Sequence, residues 1–391
     1  MKFSKRVSSI QPSATLAINA KAQEMRAAGE KVVSLAVGEP DFGTPGHVVQ
    51  AAVDALEQGF TRYTAVPGIP ELRQAVADYF SKTYSMACAQ EEVMVSNGGK
   101  QCLYNILQAV ADPGDEVLIP APYWVSYPAL VRLAQAVPVV VPTEAEDDFL
   151  VSTRALDKFV TNRTKVLILN TPSNPTGCHY TQKHLEELAR WAADKDIFVI
   201  SDEIYDQLVY SPAEPASLCR FWEKSKGSAA IVNGLAKTFA MTGWRIGYVL
   251  AHQDLIKAMS KIQGQSTSNV CSFAQKGALA ALTGSFEFVQ RMREAFASRR
   301  DLALEILSTW KGSVCPRPDG AFYLFPRVDA FYGSRVDSST ALCQSVLEEE
   351  KIALVPGAAF GDDRCVRISY AVSPEVLQEC LERIGNFLNR L

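Results

Sequence analysis

Several classes of protein are excluded by what this sequence lacks. It holds no uninterrupted apolar run of about 18 residues, the least that a membrane-spanning helix needs. The basic start Met1-Lys2-Phe3-Ser4-Lys5-Arg6 leads into no apolar signal core, so a cytoplasmic protein is expected. No sign of charge dominates: 39 lysines and arginines against 43 aspartates and glutamates leave −4. That balance gives no broad basic footprint for phosphates, and no nucleic-acid partner is expected. The nine cysteines include no C-x-x-C pair and are too scattered for a disulfide scaffold; most read as small core residues. Only four histidines occur (His47, His179, His184, His252), none in H-E-x-x-H spacing, so no metal site is expected. G-x-G-x-x-G and G-x-x-x-x-G-K-[ST] are missing, which disfavours a Rossmann dehydrogenase or a P-loop enzyme. The nucleophile elbow G-x-S-x-G is missing too.

What is present is an ordinary globular composition, 48% apolar and 21% charged over 391 residues. Helical patterns alternate with short apolar runs, the signature of an α/β fold with a mostly parallel sheet. Thr44-Pro45 reads as the start of a helix to about Gln58. Val93–Ser96 reads as a strand, broken by Asn97-Gly98-Gly99 before a helix to about Ala111. Further strands are expected at 116–119, 137–141, 165–169, 197–201, 230–232 and 246–250, with helices at 181–195 and 254–261. Past residue 285 the alternation loosens: a long charged helix at 287–310, strands at 321–325 and 365–370, a helix at 338–350 and a final helix. The expected division is an N-terminal segment 1–45 packing with a small α+β domain 286–391, and a large domain 46–285.

Polar residues gather at the ends of the expected strands, where open α/β sheets bind ligands. Ile197-Phe198-Val199-Ile200 is apolar yet runs into Ser201-Asp202-Glu203-Ile204-Tyr205; on this evidence Asp202 could equally cap a helix. Asn170-Thr171-Pro172-Ser173-Asn174-Pro175-Thr176-Gly177 is either a rigid turn or a loop aiming the Asn174 amide into a cleft. Lys237, among small and apolar neighbours between two strands, is either a surface charge or a desolvated amine of lowered pKa.

Taken together and in order, these segments resemble fold-type-I pyridoxal-phosphate enzymes, the class I aminotransferases. The resemblance spans nearly the whole chain, from Pro40-Asp41 through the Asn174 loop, Asp202-x-x-Tyr205, Lys237 and Arg245 to Arg367-Ile368-Ser369-Tyr370. It implies pyridoxal 5′-phosphate as cofactor, with Lys237 as the catalytic lysine that bonds it and Asp202 opposite the ring nitrogen. Asn174 and Tyr205 match the pair that bonds the ring's 3′-oxygen, and Trp124 the aromatic that stacks on the ring. Gly99 and Lys100 at a helix start, with Arg245, match the phosphate site. Tyr63 resembles the tyrosine that reaches a neighbouring subunit's phosphate, which implies a homodimer with shared sites. Many relatives carry serine one or two residues before this lysine, and with Gly234 and Ala236 in that neighbourhood fewer side-chain contacts to phosphate are implied.

For substrate, Arg367 matches the arginine for the α-carboxylate and Gly38 the backbone that closes over it. Lys100 with Ser13 and Thr15 resembles a subgroup of aspartate aminotransferases that holds the distal carboxylate with a lysine and N-terminal hydroxyls. Trp124 and Asn174 would also face the substrate. The implied reaction is transamination between aspartate and 2-oxoglutarate. Gly320–Phe325 and Val355–Asp363 resemble members that also convert prephenate to arogenate, although Gln11 replaces a basic residue found in some of them. The alternatives are an aromatic or alanine aminotransferase or a C–S lyase, all on the same fold. A lysine aimed at an apolar side chain speaks against these. A non-catalytic regulatory module would need a fused DNA-binding segment, for which no room precedes residue 30.

Overall fold

The computed structural model describes residues 3–10 and 14–391. Twelve strands are described: β1 (Val33–Ser34), β2 (Val93–Ser96), β3 (Glu116–Ala121), β4 (Val137–Pro142), β5 (Thr164–Asn170), β6 (Phe198–Asp202), β7 (Ala229–Gly234), β8 (Gly247–Ala251), β9 (Tyr323–Leu324), β10 (Ile352–Ala353), β11 (Val355–Pro356) and β12 (Val366–Ser369). Seven of them form the central sheet in the order β2-β8-β7-β6-β5-β3-β4. All neighbours in it are parallel except β8, which runs antiparallel to β2 and β7. The inner strands β5 to β8 are buried almost throughout, as expected of apolar runs covered by helices on both faces.

Helices fill the two faces and position the site. The helix Gly99–Val110 starts directly after the glycine turn that ends β2. The helix Pro70–Tyr84 opens on a first-turn proline and buries Leu72, Val76 and Phe80. One core packs Leu72, Phe80, Leu167, Leu185 and Trp222 on one face of the sheet; another packs Leu103, Ile106, Tyr127 and Val131 on the other. A third core holds Phe296, Phe322, Tyr370 and Leu381. The helix Glu287–Leu307 contributes Val289 to the first core and Met292 and Phe296 to the third. β1 pairs with β10, so the chain's start reaches its last hundred residues. Among the described residues no helix is long and apolar enough to cross a membrane.

Two expectations need correction. The run Ala321–Phe325 contributes only Tyr323–Leu324 to a sheet, because Ala321 adopts a left-handed φ of 58° and Pro326 ends the run without an N–H. The helix expected at 254–261 runs over Gln253–Ser266, because Gln263 is held in the core by side-chain bonds that no hydropathy pattern reveals.

Candidate active site

The topology places the carboxyl ends of β2, β3, β5, β6 and β7 along one edge of the sheet. Because β8 runs the other way, Arg245 just before it arrives at that same edge. A cavity of about 330 Å³ opens there, within the size range of small-ligand sites. Gly38, Gly99, Lys100, Trp124, Asn174, Asp202, Tyr205, Lys237, Arg245 and Arg367 all line it. Tyr63 does not, and it is 90% exposed. Ser13 lies outside the described residues, and Thr15 falls in the helix Ala14–Ala27 with its side chain also outside them.

Asp202 ends β6 fully inside the protein. Its Oδ2 accepts from the Tyr127 hydroxyl at 2.8 Å and its Oδ1 from the Ile204 N–H at 3.3 Å. Burial pushes its pKa up to about 6, and the Tyr127 bond opposes that rise. Asn170, register partner of Asp202, donates to the Asp202 carbonyl at 2.9 Å and accepts from the Asn174 N–H at 2.8 Å. One amide thus fixes both the strand end and the loop.

Lys237 follows β7 on a single helical turn, Leu235–Thr238, and its amine donates to the Gly38 carbonyl. Burial lowers its pKa to about 8, aided by Arg367 and Arg245 and opposed by Glu39 and Asp202. Gly234 is glycine for a steric reason: a Cβ there would lie 2.9 Å from the Ile246 carbonyl.

The anion end is built from backbone. Gly98 (φ 86°) caps the helix Gly99–Val110 with no side chain, so first-turn N–H groups face the cavity. A Cβ on Gly98 would meet the Arg245 guanidinium at 2.5 Å, and one on Gly247 would meet the Gly99 nitrogen at 2.3 Å. Arg245 bonds the Thr242 carbonyl at 2.8 Å and has no acid partner among the described residues.

Two further cations lack acids. Arg367 is buried; it donates to Asn174 Oδ1 at 2.9 Å and to the Ala36 carbonyl at 2.8 Å, and its Nε has no partner. Tyr323 and Phe360 lie against its guanidinium at 4.6 and 5.0 Å. Lys100 lies 4.9 Å from the centroid of the Trp124 ring, and burial, with Arg245 near, lowers its pKa. No carboxylate among the described residues pairs with it.

Among the lining residues not singled out as site residues from the sequence, three make side-chain hydrogen bonds that shape the site: Tyr127, Asn170 and Tyr323, the last bonded to the Tyr205 hydroxyl at 2.8 Å. Tyr127 had one usable signal, a place three residues beyond Trp124, and the two rings do meet edge to face at 5.5 Å.

A family model described as aminotransferase class I and II matches residues 30–384. The Bacillus subtilis aspartate aminotransferase is 42% identical over all of both chains. A Petunia hybrida bifunctional aspartate aminotransferase and glutamate/aspartate-prephenate aminotransferase is 44% identical over 99% of this chain and 83% of its own. The Thermus thermophilus aspartate aminotransferase solved with maleate superposes with a TM-score of 0.94 at 44% identity, covering 99% of each chain.

Proposed function

We propose, from the premise that the chain belongs to the class I and II aminotransferases, that it exchanges the amino group of aspartate with 2-oxoglutarate using pyridoxal 5′-phosphate. The observation that carries the substrate is the pair of unpartnered cations, Lys100 and Arg367, in one cavity. Arg367 is a buried cation without a counter-charge, which is costly, and the more exposed Lys100 has no acid partner among the described residues; a dicarboxylic amino acid supplies one carboxylate to each. The names of the relatives support this, as does the maleate, itself a dicarboxylate, solved with the Thermus enzyme. Prephenate carries two carboxylates as well, and the Petunia relative's name makes it a second candidate substrate.

The residues fit the cofactor. The Gly98–Gly99 turn, free of Cβ atoms and faced by Arg245, suits a phosphate. Asp202 would face a protonated ring nitrogen, whose charge offsets the cost of its buried ionisation. Trp124 would stack on the ring, and Asn174 and Tyr205 would bond its 3′-oxygen. When bound, pyridoxal 5′-phosphate supplies an electron sink for the bonds at the substrate's α-carbon.

In this reading the chain's own residues take the following parts in the reaction. Arg367 grips the α-carboxylate with a planar fork and Gly38 closes over it, so the Cα–H bond is presented in one orientation. Lys237 Nζ, neutral in a useful fraction near pH 8, would take the proton from the substrate's Cα and give it up at the cofactor's C4′. Lys100, with Thr15 and Ser13, holds the distal carboxylate.

The reading extends to assembly. Val49, Val53 and Leu56 lie on one face of the helix Gly46–Glu57, each at least 38% exposed. That face and Phe273 line a groove that runs to Arg245, and its proposed occupant is a second copy of this chain whose Tyr63 completes the phosphate site. The same reading makes 46–285 the large domain and 286–391, with the segment 1–45, the small one, in a cytoplasmic enzyme.

Lys100→Ala tests the substrate. It should cost aspartate and 2-oxoglutarate about 2–5 kcal/mol in kcat/KM, as for one member of a charge pair that the bound substrate shuts off from water. Alanine and phenylalanine should react as before or faster, since an unpaired cation is gone. Equal losses for aspartate and alanine, with weakened cofactor binding, would reassign Lys100 to the phosphate and remove the dicarboxylate argument.

A further inference from the structure

Gln263 sits on the buried face of the helix Gln253–Ser266, in line with Ile256 and Met259, where periodicity alone would put an aliphatic residue. Its amide is fully used. Oε1 accepts from Ser96 Oγ at 2.7 Å and Asn105 Nδ2 at 3.0 Å; Nε2 donates to the carbonyls of Val66 at 3.0 Å and Val95 at 3.1 Å. Those four partners belong to three separate parts of the anion end. Val95 and Ser96 end β2 before the glycine turn, Asn105 lies on the helix that begins at Gly99, and Val66 lies in the loop that follows Tyr63.

The same loop is held at three more points. The Val95 N–H donates to the Pro67 carbonyl at 2.9 Å. Gln275, also fully buried, accepts from the Ile69 N–H at 2.8 Å and donates to Thr64 Oγ1 at 3.1 Å. Gly68 (φ 105°) lets the backbone lie against β2, since a Cβ there would be 2.8 Å from Val95 Cγ2. Tyr63 is therefore an exposed side chain on a tightly anchored loop.

We infer that Gln263 is a positioning residue for the phosphate end of the site, fixing through one amide the strand before the glycine turn, the helix bearing Lys100 and the loop presenting Tyr63. This rests on the assignment of that end to phosphate. Gln263→Met keeps length and volume but leaves the Ser96 hydroxyl, the Asn105 amide and two carbonyls without their partner.

The test compares binding of pyridoxal 5′-phosphate and of pyridoxal, which lacks the phosphate, to empty protein by tryptophan fluorescence. Wild type should prefer the phosphorylated form strongly; if it does not, the phosphate assignment itself falls. Gln263→Met should lose about tenfold in affinity for pyridoxal 5′-phosphate and less than twofold for pyridoxal. Equal losses for both, or no loss, would reduce Gln263 to a structural residue and overturn the inference. Should Gln263→Met fail to fold, Ser96→Ala, which removes one partner of the amide, is read in the same assay. It should show the same selective loss, and an unchanged preference would overturn the inference.

Discussion

Lys237→Ala should lower the rate of amino transfer from aspartate by about 10⁴-fold, the upper range for a positioned general acid–base group. The same variant should fold at least as well as the wild type when empty. The unfolded chain holds this proton up to about pH 10.4, whereas the buried amine releases it near pH 8. Below pH 8 the fold therefore carries the full cost of a buried ammonium, about 3 kcal/mol, which fades as pH rises from 8 towards 10.4. Alanine removes that cost at pH 7, so thermal melting of the empty variant should come no lower than wild type. The wild-type protein offers a matching pH test. Only the neutral amine is nucleophilic, so cofactor uptake should rise about tenfold per pH unit below 8 and level off above it. A solvated lysine would instead keep climbing to about pH 10.4. Borohydride treatment of the loaded enzyme and peptide mapping should mark Lys237; a mark on Lys100 would overturn the assignment.

Asp202→Asn should cost about 3–5 kcal/mol of transition-state stabilisation, the size expected for loss of a preorganised charge facing the reacting system. Here too activity and stability should part company. In the fold Asp202 keeps its proton up to about pH 6, against about 3.9 in the unfolded chain. Its buried ionisation thus costs stability above pH 6, and the cost disappears as pH falls from 6 towards 4. The empty asparagine variant should therefore melt as high as wild type, or higher, at pH 7. Near wild-type turnover in Asp202→Asn would remove the ring-nitrogen role.

Both residues were legible in the sequence for the same reason. Asp202 ends a buried apolar strand and Lys237 follows another by one helical turn; a cap or a surface charge was open for each alone, and the order of the segments tied both to a family. The inner parallel strands were legible because burial on both faces makes them continuous apolar runs. Sheet order was not: nothing in the Gly247–Ala251 run says that it pairs antiparallel between β2 and β7, and that reversal is what brings Arg245 to the site. Tyr127 and Asn170 escaped because their roles are contacts. An aromatic on a short helix reads as core until its hydroxyl is seen on Asp202, and Asn170 acquires meaning only from its register with that residue. Gln263 is the extreme case: one polar residue on an apolar helical face, whose four partners span residues 66 to 105 of the chain.

The measurement that bears most directly on aspartate transamination is a single-turnover panel. The cofactor-loaded enzyme is mixed in turn with aspartate, glutamate, alanine, phenylalanine and arogenate, and conversion of the cofactor to its amine form is followed by absorbance. Two unpartnered cations in one cavity predict fast conversion by aspartate and glutamate, and slow conversion by alanine and phenylalanine, with arogenate reporting on prephenate use. Conversion by alanine or phenylalanine as fast as by aspartate would contradict the account.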